Sequence, residues 1–259
     1  VYGTDDGQVY CLDGLGRIQW VHIENAPFGR SGPVIAPIGG KPAVLLTRSN
    51  VGNATCLLAL DGATGGELWR TKDYMQGYVS VAAADMDGDG ALEFLHADKG
   101  NTVYCERSDG TRLWERRFMA RGFYFAPAIA DVDGDGVLEA VFVSRDTDIE
   151  DRAMVFVIDA TGAVEHRLAL ATNGNVSAAP AAGDLDGDGA VEVYIPTNGP
   201  NALQCLVFGG RGSVAWPSGR GDSAQTGRHV SVAPGAPARE TRTEPARGIA
   251  WDKATLALG

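Results

Sequence analysis

Three stretches of the 259-residue chain share one spacing of acids and glycines, D-x-D-G-D-G-x-x-E. The first carries Asp85, Asp87, Asp89 and Glu93; the second Asp131, Asp133, Asp135 and Glu139; the third Asp184, Asp186, Asp188 and Glu192. Carboxylates packed this closely repel one another, by about 1 kcal/mol per contact pair in water and about 4 near a protein surface. A cation removes that penalty. Acids at alternate positions converge when the backbone turns sharply, and glycine permits the turn. Oxygen donors with no His or Cys among them suit a hard ion, Ca²⁺ before Mg²⁺. A single copy would read equally well as a solvated Asp-Gly hairpin turn; three copies in one frame favour the ion, and three Ca²⁺ are expected.

The helix–loop–helix calcium site is excluded. It needs a bidentate Glu at position 12, where this chain has His96, Phe142 and Ile195. The last acid stands at position 9 instead. Strand-like sequence flanks the loop, Tyr-Val-Ser-Val-Ala-Ala-Ala before Asp85 and Phe-Leu-His-Ala after Glu93. Each loop is therefore expected to join two β-strands.

Those strands belong to a longer repeat. An apolar strand, a turn and Gly-x-x-x-aromatic recur at Gly16/Trp20, Gly65/Trp69, Gly110/Trp114, Gly162/His166 and Gly212/Trp216. In the middle copy the expected strands are 126–130 (inner), 139–144, 154–159 and 164–170 (outer), with the acidic loop after the first. Four antiparallel strands repeating every ~45–53 residues are the pattern of propeller blades. No helical periodicity appears. The fold class is thus all-β, a β-propeller of about five blades or a piece of a larger one. Repeats are expected at about 1–24 (lacking its innermost strand), 31–70, 77–118, 122–170 and 175–216. A closing strand at 229–234 would complete the first blade, giving a propeller over 1–233 and a linker or tail over 234–259. The blade at 31–70 has Ile38-Gly39-Gly40-Lys41 in place of an acidic loop, expected to be a metal-free hairpin of the same shape.

Composition narrows the function classes. Net charge is −11, but the loops hold twelve of the 33 acids, leaving 21 against 22 basic residues. The acidity is local, and no nucleic-acid partner is indicated. No apolar run reaches the ~20 residues of a membrane span. The chain opens Val1-Tyr2-Gly3, so its true start is expected upstream. Cys11, Cys56, Cys105 and Cys205 lack C-x-x-C spacing and are expected to be buried free thiols.

These motifs resemble two repeat families. The acidic loops preceded by Ala-Pro-Ala-Ile-Ala look like FG-GAP/VCBS repeats, as in integrin α-subunit propellers and bacterial surface proteins. The Val-Tyr-x-Leu-Asp…Gly-x-x-x-Trp strands look like quinoprotein (PQQ-like) propeller repeats. The resemblance implies that the loop carboxylates are calcium ligands position by position, and that Ala91, Val137 and Ala190, at position 7, contribute backbone carbonyls. It also implies an extracellular or cell-surface setting and a protein or carbohydrate partner, within a larger chain or assembly. Such families host adhesins, scaffolds, lyases and dehydrogenases alike.

No G-x-S-x-G, H-E-x-x-H or P-loop is present, and His22, His96, His166 and His229 are scattered. A non-enzymatic calcium-binding module for binding, adhesion or assembly is therefore expected, with a propeller enzyme (a calcium-dependent polysaccharide lyase or a quinoprotein dehydrogenase) as the alternative. The Trp positions read as packing between blades rather than a sugar platform. Arg220-Gly221-Asp222 reads as a turn, and Asn53 and Asn175 begin glycosylation sequons.

Overall fold

The structure, a computed structural model, describes residues 1–24, 27–28, 32–48, 56–71, 79–98, 100–119, 121–146, 152–170, 175–198, 203–221 and 227–229. Among them are twenty strands in five sheets and no helix. The first sheet is β1 (Tyr2–Gly3), β2 (Gln8–Leu12) and β3 (Ile18–Ile23). The second runs in chain order through β4 (Val34–Ile38), β5 (Lys41–Arg48), β6 (Cys56–Asp61) and β7 (Glu67–Arg70). The third is β8 (Ala82–Ala84), β9 (Glu93–Ala97), β10 (Thr102–Glu106) and β11 (Arg112–Arg117). The fourth has β13 (Ala128–Ala130), β14 (Glu139–Asp146), β15 (Met154–Ile158) and β16 (Val164–Ala169), with β12 (Arg121–Phe123) also along β14. The fifth is β17 (Ala181–Gly183), β18 (Glu192–Pro196) and β19 (Leu203–Val207). These are antiparallel blades, a β-propeller architecture, with the middle repeat's strands where its sequence places them.

Sequence explains the blade's internal gradient. Inner strands β8, β13 and β17 are Ala-Ala-Ala, Ala-Ile-Ala and Ala-Ala-Gly. Small side chains let neighbouring sheets converge, and β8 and β13 are buried throughout. Middle strands β9, β10 and β15 are buried on both faces, as strands sandwiched between sheets are. Outer strands alternate with solvent. At the turn before each outer strand an aspartate caps the backbone: Asp13 Oδ1 accepts from the Leu15 and Arg17 amides, and Asp159 Oδ1 from those of Thr161 and Ala163. A bulge follows at one place in four blades, between Cys11/Leu12, Ala59/Leu60, Cys105/Glu106 and Val157/Ile158.

The aromatic position joins successive sheets. The indole N–H groups of Trp20, Trp69 and Trp114 donate to the carbonyls of Gly62, Ser108 and Ala160, each in the next sheet's turn, at 2.9–3.0 Å. Each ring lies against that turn's glycine. A Cβ on Gly65, Gly110 or Gly162 would approach the ring to 2.5, 2.7 or 2.8 Å. Each bond is worth about 1 kcal/mol net, beyond the area the ring buries. His166 takes the same place and packs on Phe208, with ring centroids 5.2 Å apart.

The structure departs from the sequence expectation at several points. The repeat at 175–216 is not four-stranded. Its expected outer strand, β20 (Val214–Trp216), leaves the fifth sheet and pairs with β13, Ile129 opposite Trp216. There it also packs against β8 and β17. The inner edge of β13 offers unpaired backbone groups, and its alanines leave room for Trp216, which is 1% exposed. The Gly39-Gly40 hairpin is not shaped like the acidic loops, as shown below. Of the expected closing strand, residues 230–234 lie outside the described residues. The preceding segment pairs Arg228 with Ile35 of β4 in parallel, with Ile35 donating to the Gly227 carbonyl and His229 to that of Ile35. Residues 234–259, the Asn53 sequon and the side chain of Cys56 also lie outside. Cys105 is buried and outside any disulfide, whereas Cys11 and Cys205, also outside any disulfide, are only half-buried. Arg220 points inward: its guanidinium would meet a Cβ on Gly32 at 2.4 Å, and Gly221 lies buried against Trp216. Asp222 lies outside the described residues.

Candidate metal centre

Each acidic loop is an eight-residue connection between an inner strand and its neighbour. The closing pairs are Ala84 opposite Glu93, Ala130 opposite Glu139 and Gly183 opposite Glu192. Position 9 is therefore the first residue of a buried strand, and Glu93, Glu139 and Glu192 are 1%, 0% and 1% exposed. The aspartates ride on the loop above them. The glycines at positions 4 and 6 are left-handed in all three loops, with φ from 75° to 91° at Gly88, Gly90, Gly134, Gly136, Gly187 and Gly189. An L side chain there would strain the backbone.

The loops aim their carboxylates by one repeated set of main-chain bonds. The position 1 carboxylate accepts from the position 6 amide: Gly90 to Asp85 at 3.0 Å, Gly136 to Asp131 at 3.1 Å, Gly189 to Asp184 at 3.0 Å. Position 3 accepts from position 5, in Asp87, Asp133 and Asp186. Position 5 accepts from position 7: the Ala91, Val137 and Ala190 amides donate to Asp89, Asp135 and Asp188 at 2.7–2.8 Å. One oxygen of each glutamate accepts from position 2, Met86, Val132 or Leu185, at 2.8–2.9 Å.

The result is three acidic clusters. Asp184, Asp186, Asp188 and Glu192 bring one carboxylate oxygen each within 4.8 Å of one another, as do Asp85, Asp87 and Glu93, and Asp131, Asp133 and Glu139. Asp89 and Asp135 stand outside the two three-membered clusters, each held by a position 7 amide. Ala91, Val137 and Ala190 sit on the loop rim, Val137 exposed.

A cation fits this arrangement on a second, independent observation. The remaining oxygens of two glutamates, Glu139 Oε1 and Glu192 Oε1, are buried with no hydrogen-bond partner, and so is Asp85 Oδ1. A buried carboxylate oxygen left unsatisfied costs several kcal/mol. Burial pushes the Glu93 carboxyl up to about 7 and that of Glu139 up to about 8, with nearby aspartates adding repulsion. Glu192 moves in the same direction for the same reasons. A divalent ion would satisfy these oxygens and reverse the shift.

Two neighbours carry no signal in the loop spacing. Glu165 on β16 feels Asp133 and Asp135, and burial together with their charge raises its carboxyl. Arg211 lies beside the third loop, its guanidinium 3.3 Å from where a Cβ of Gly189 would stand. Antiparallel alternation explains both positions: turns before outer strands emerge at the same blade end as the acidic loops.

Residues 85–142 match the model of the FG-GAP-like repeat. No curated protein matches the chain. Among solved structures, the C-terminal domain of PilY1 from Pseudomonas aeruginosa is similar, with a TM-score of 0.53 at 16% identity over 76% of this chain and 52% of that one. BBS1N, solved in complex with ARL6DN, gives 0.52 at 10% identity over 83% and 72%. The quinohemoprotein alcohol dehydrogenase of Comamonas testosteroni gives 0.52 at 13% over 87% and 43%. The chain thus spans about half the length of two of these three structures, and at such identities the likeness is one of fold. The chain is a β-propeller, or a piece of one, whose residues 85–142 match the FG-GAP-like repeat model and whose fold is similar to that of the quinohemoprotein alcohol dehydrogenase.

Proposed function

We propose that the chain is a non-enzymatic propeller module, stabilised by three Ca²⁺, that serves binding, adhesion or assembly at the cell exterior. The observation that carries the metal assignment is the set of buried, unpartnered oxygens Glu139 Oε1, Glu192 Oε1 and Asp85 Oδ1, each inside an acidic cluster. Ca²⁺ suits an all-oxygen set that keeps open positions for backbone carbonyls and water. The carbonyls of Ala91, Val137 and Ala190 are the proposed backbone ligands. The ion's role is structural: it ties the inner strand to its neighbour across a loop that its own charges would otherwise open. An exterior setting suits weak sites of this kind, which load at about 10⁻⁴–10⁻³ M calcium. No helix among the described residues is long and apolar enough to cross a membrane. The partner is a protein or carbohydrate surface.

Isothermal calorimetry on chelator-treated protein tests the metal assignment. Three equivalents of Ca²⁺ are expected, with Mg²⁺ binding more weakly. A flat calcium titration would sink the proposal.

A further inference from the structure

The segment that leaves the fifth sheet, Gly209–Trp216, does more than fill space at the axis. On its way it is pressed onto the second acidic loop. A Cβ on Gly210 would stand 1.7 Å from the Asp133 carbonyl carbon, and one on Gly212 would stand 1.9 Å from the Asp131 carbonyl oxygen. A Cβ on Gly134 of the loop would in turn meet the Arg211 amide at 2.7 Å. Main-chain bonds fix the contact. The Asp131 amide donates to the Ser213 carbonyl at 2.9 Å, and the Val191 amide, at position 8 of the third loop, donates to Gly210 at 3.1 Å. Beyond the strap, Ala182 of β17 donates to the Pro217 carbonyl at 2.8 Å. Among the described residues the first loop has no such visitor: none of them lies within 4 Å of a Cβ placed on Gly88 or Gly90.

Asp131 and Asp133 therefore face two ways. Their carboxylates belong to the second acidic cluster, and their main chain is the bed on which the strap rests. A contact too close to admit a Cβ has no slack. When the carboxylates of Asp131, Asp133 and Glu139 repel one another without an ion, the loop backbone shifts and the bed is lost. Resting on the calcium assignment above, we infer that cation loading of the second loop seats the Gly209–Trp216 strap in the axis of the blades, so that ion release exposes Trp216 and the strand edge of β13 beneath it. By reciprocity, the seated strap tightens the second loop's hold on the ion.

Hydrogen exchange of the full chain, read by mass spectrometry over peptides covering Ser213–Trp216, tests this in 2 mM CaCl₂ against EDTA. Exchange of that segment is expected to rise about tenfold or more on chelation, within the usual range of coupling between sites. Asp133→Asn should give the chelated rate in calcium buffer. Asp87→Asn should leave the strap protected although it too releases an ion. Gly210→Ala keeps every ligand but displaces the strap, and should weaken calcium binding at one site about fivefold or more by calorimetry. Near-UV circular dichroism checks that each variant is folded. Unchanged strap protection on chelation, with calorimetry showing calcium bound, overturns the inference and leaves the calcium assignment standing. Equal unseating by Asp87→Asn also overturns it, because the coupling would then be global. A chain that binds no calcium overturns both.

Discussion

The hairpin at Gly39-Gly40 and the three acidic loops occupy the same place in their blades and solve the same problem differently. Both connect an inner strand to its neighbour. In the second blade two residues suffice, with Ile38 paired to Lys41 and φ of 56° and 75° at the glycines. Two successive left-handed residues make the tight turn whose twist matches antiparallel strands. In the other blades eight residues intervene, and the strand that follows begins with a buried glutamate. The short turn is complete in itself. The long one carries more charge than the residues around it satisfy, and on the proposed calcium assignment it makes the blade depend on an ion. On that assignment, loop length here sets ligand dependence rather than fold.

The largest expected effect separates these two solutions directly. Chelation should lower the melting temperature by roughly 5–20 °C against 2 mM CaCl₂, since a site held at about 2–20 times its Kd contributes about 0.6–1.8 kcal/mol and a chain of this size shifts about 2–4 °C per kcal/mol. A thermal scan with and without EDTA measures it, and an unchanged midpoint would erase the contrast. Next, Asp85–Leu92 replaced by Gly-Gly, with Glu93→Val, transplants the short turn into the third blade. The Ala84–Glu93 closing pair corresponds to Ile38–Lys41, so the sheet should survive while calorimetric stoichiometry falls from three to two. A chimera still binding three ions would show that the ligands lie elsewhere.

Glu139→Gln should change sign with conditions. In calcium it should lower stability by about 1–3 kcal/mol through the lost charged ligand, and in EDTA it should raise stability because glutamine needs neither a buried charge nor the proton that burial forces on the carboxyl. Denaturant midpoints in both buffers decide, and a loss in both would make Glu139 merely structural. Gly40→Ala should cost about 1–2 kcal/mol through its positive φ, equally with and without calcium.

The smallest effect lies at the edge that has no acidic loop. Glu24 joins the first sheet to the second by accepting from Arg70 and Arg48 at 2.9 Å, with His22 at 3.0 Å. Burial opposes its charge, but the Arg70 and His22 bonds prevail and hold its carboxyl below the usual glutamate range. Its stabilisation is therefore full above the unfolded-state pKa and is lost as pH falls through the folded value. Glu24→Gln should cost no more than about 1 kcal/mol at pH 7 and almost nothing in strong acid. An effect independent of pH would remove the ion pair from consideration.

What the sequence makes legible follows the range of the forces involved. The acidic loops depend on contacts within nine residues, so spacing alone shows them, down to which positions need glycine. The blades are legible because an apolar strand, a turn glycine and an aromatic position return in the same order every repeat. The Gly39-Gly40 turn was readable too, since adjacent glycines favour the two-residue hairpin, but analogy with the neighbouring blades suggested a longer shape. The route of β20 was not readable. Val214–Trp216 has the same local sequence character as the other outer strands, and its choice of partner is decided by a free edge and a space between alanines contributed from some 85 residues away. Arg211 reaches the loops by the same tertiary route, whereas Glu165 faces the acidic loop of its own blade.

The indole of one sheet capped by the next sheet's turn is a joint with a direction. The first three sheets each offer a tryptophan forward and the fourth a histidine, and sheets two to four each receive an indole against their own turn glycine. A whole unit duplicated or deleted in the gene would therefore meet its neighbours through the same indole and the same glycine. Blade number can drift over generations while the joint stays constant, and each new unit is free to keep or discard its acidic loop, as the Gly39-Gly40 hairpin shows.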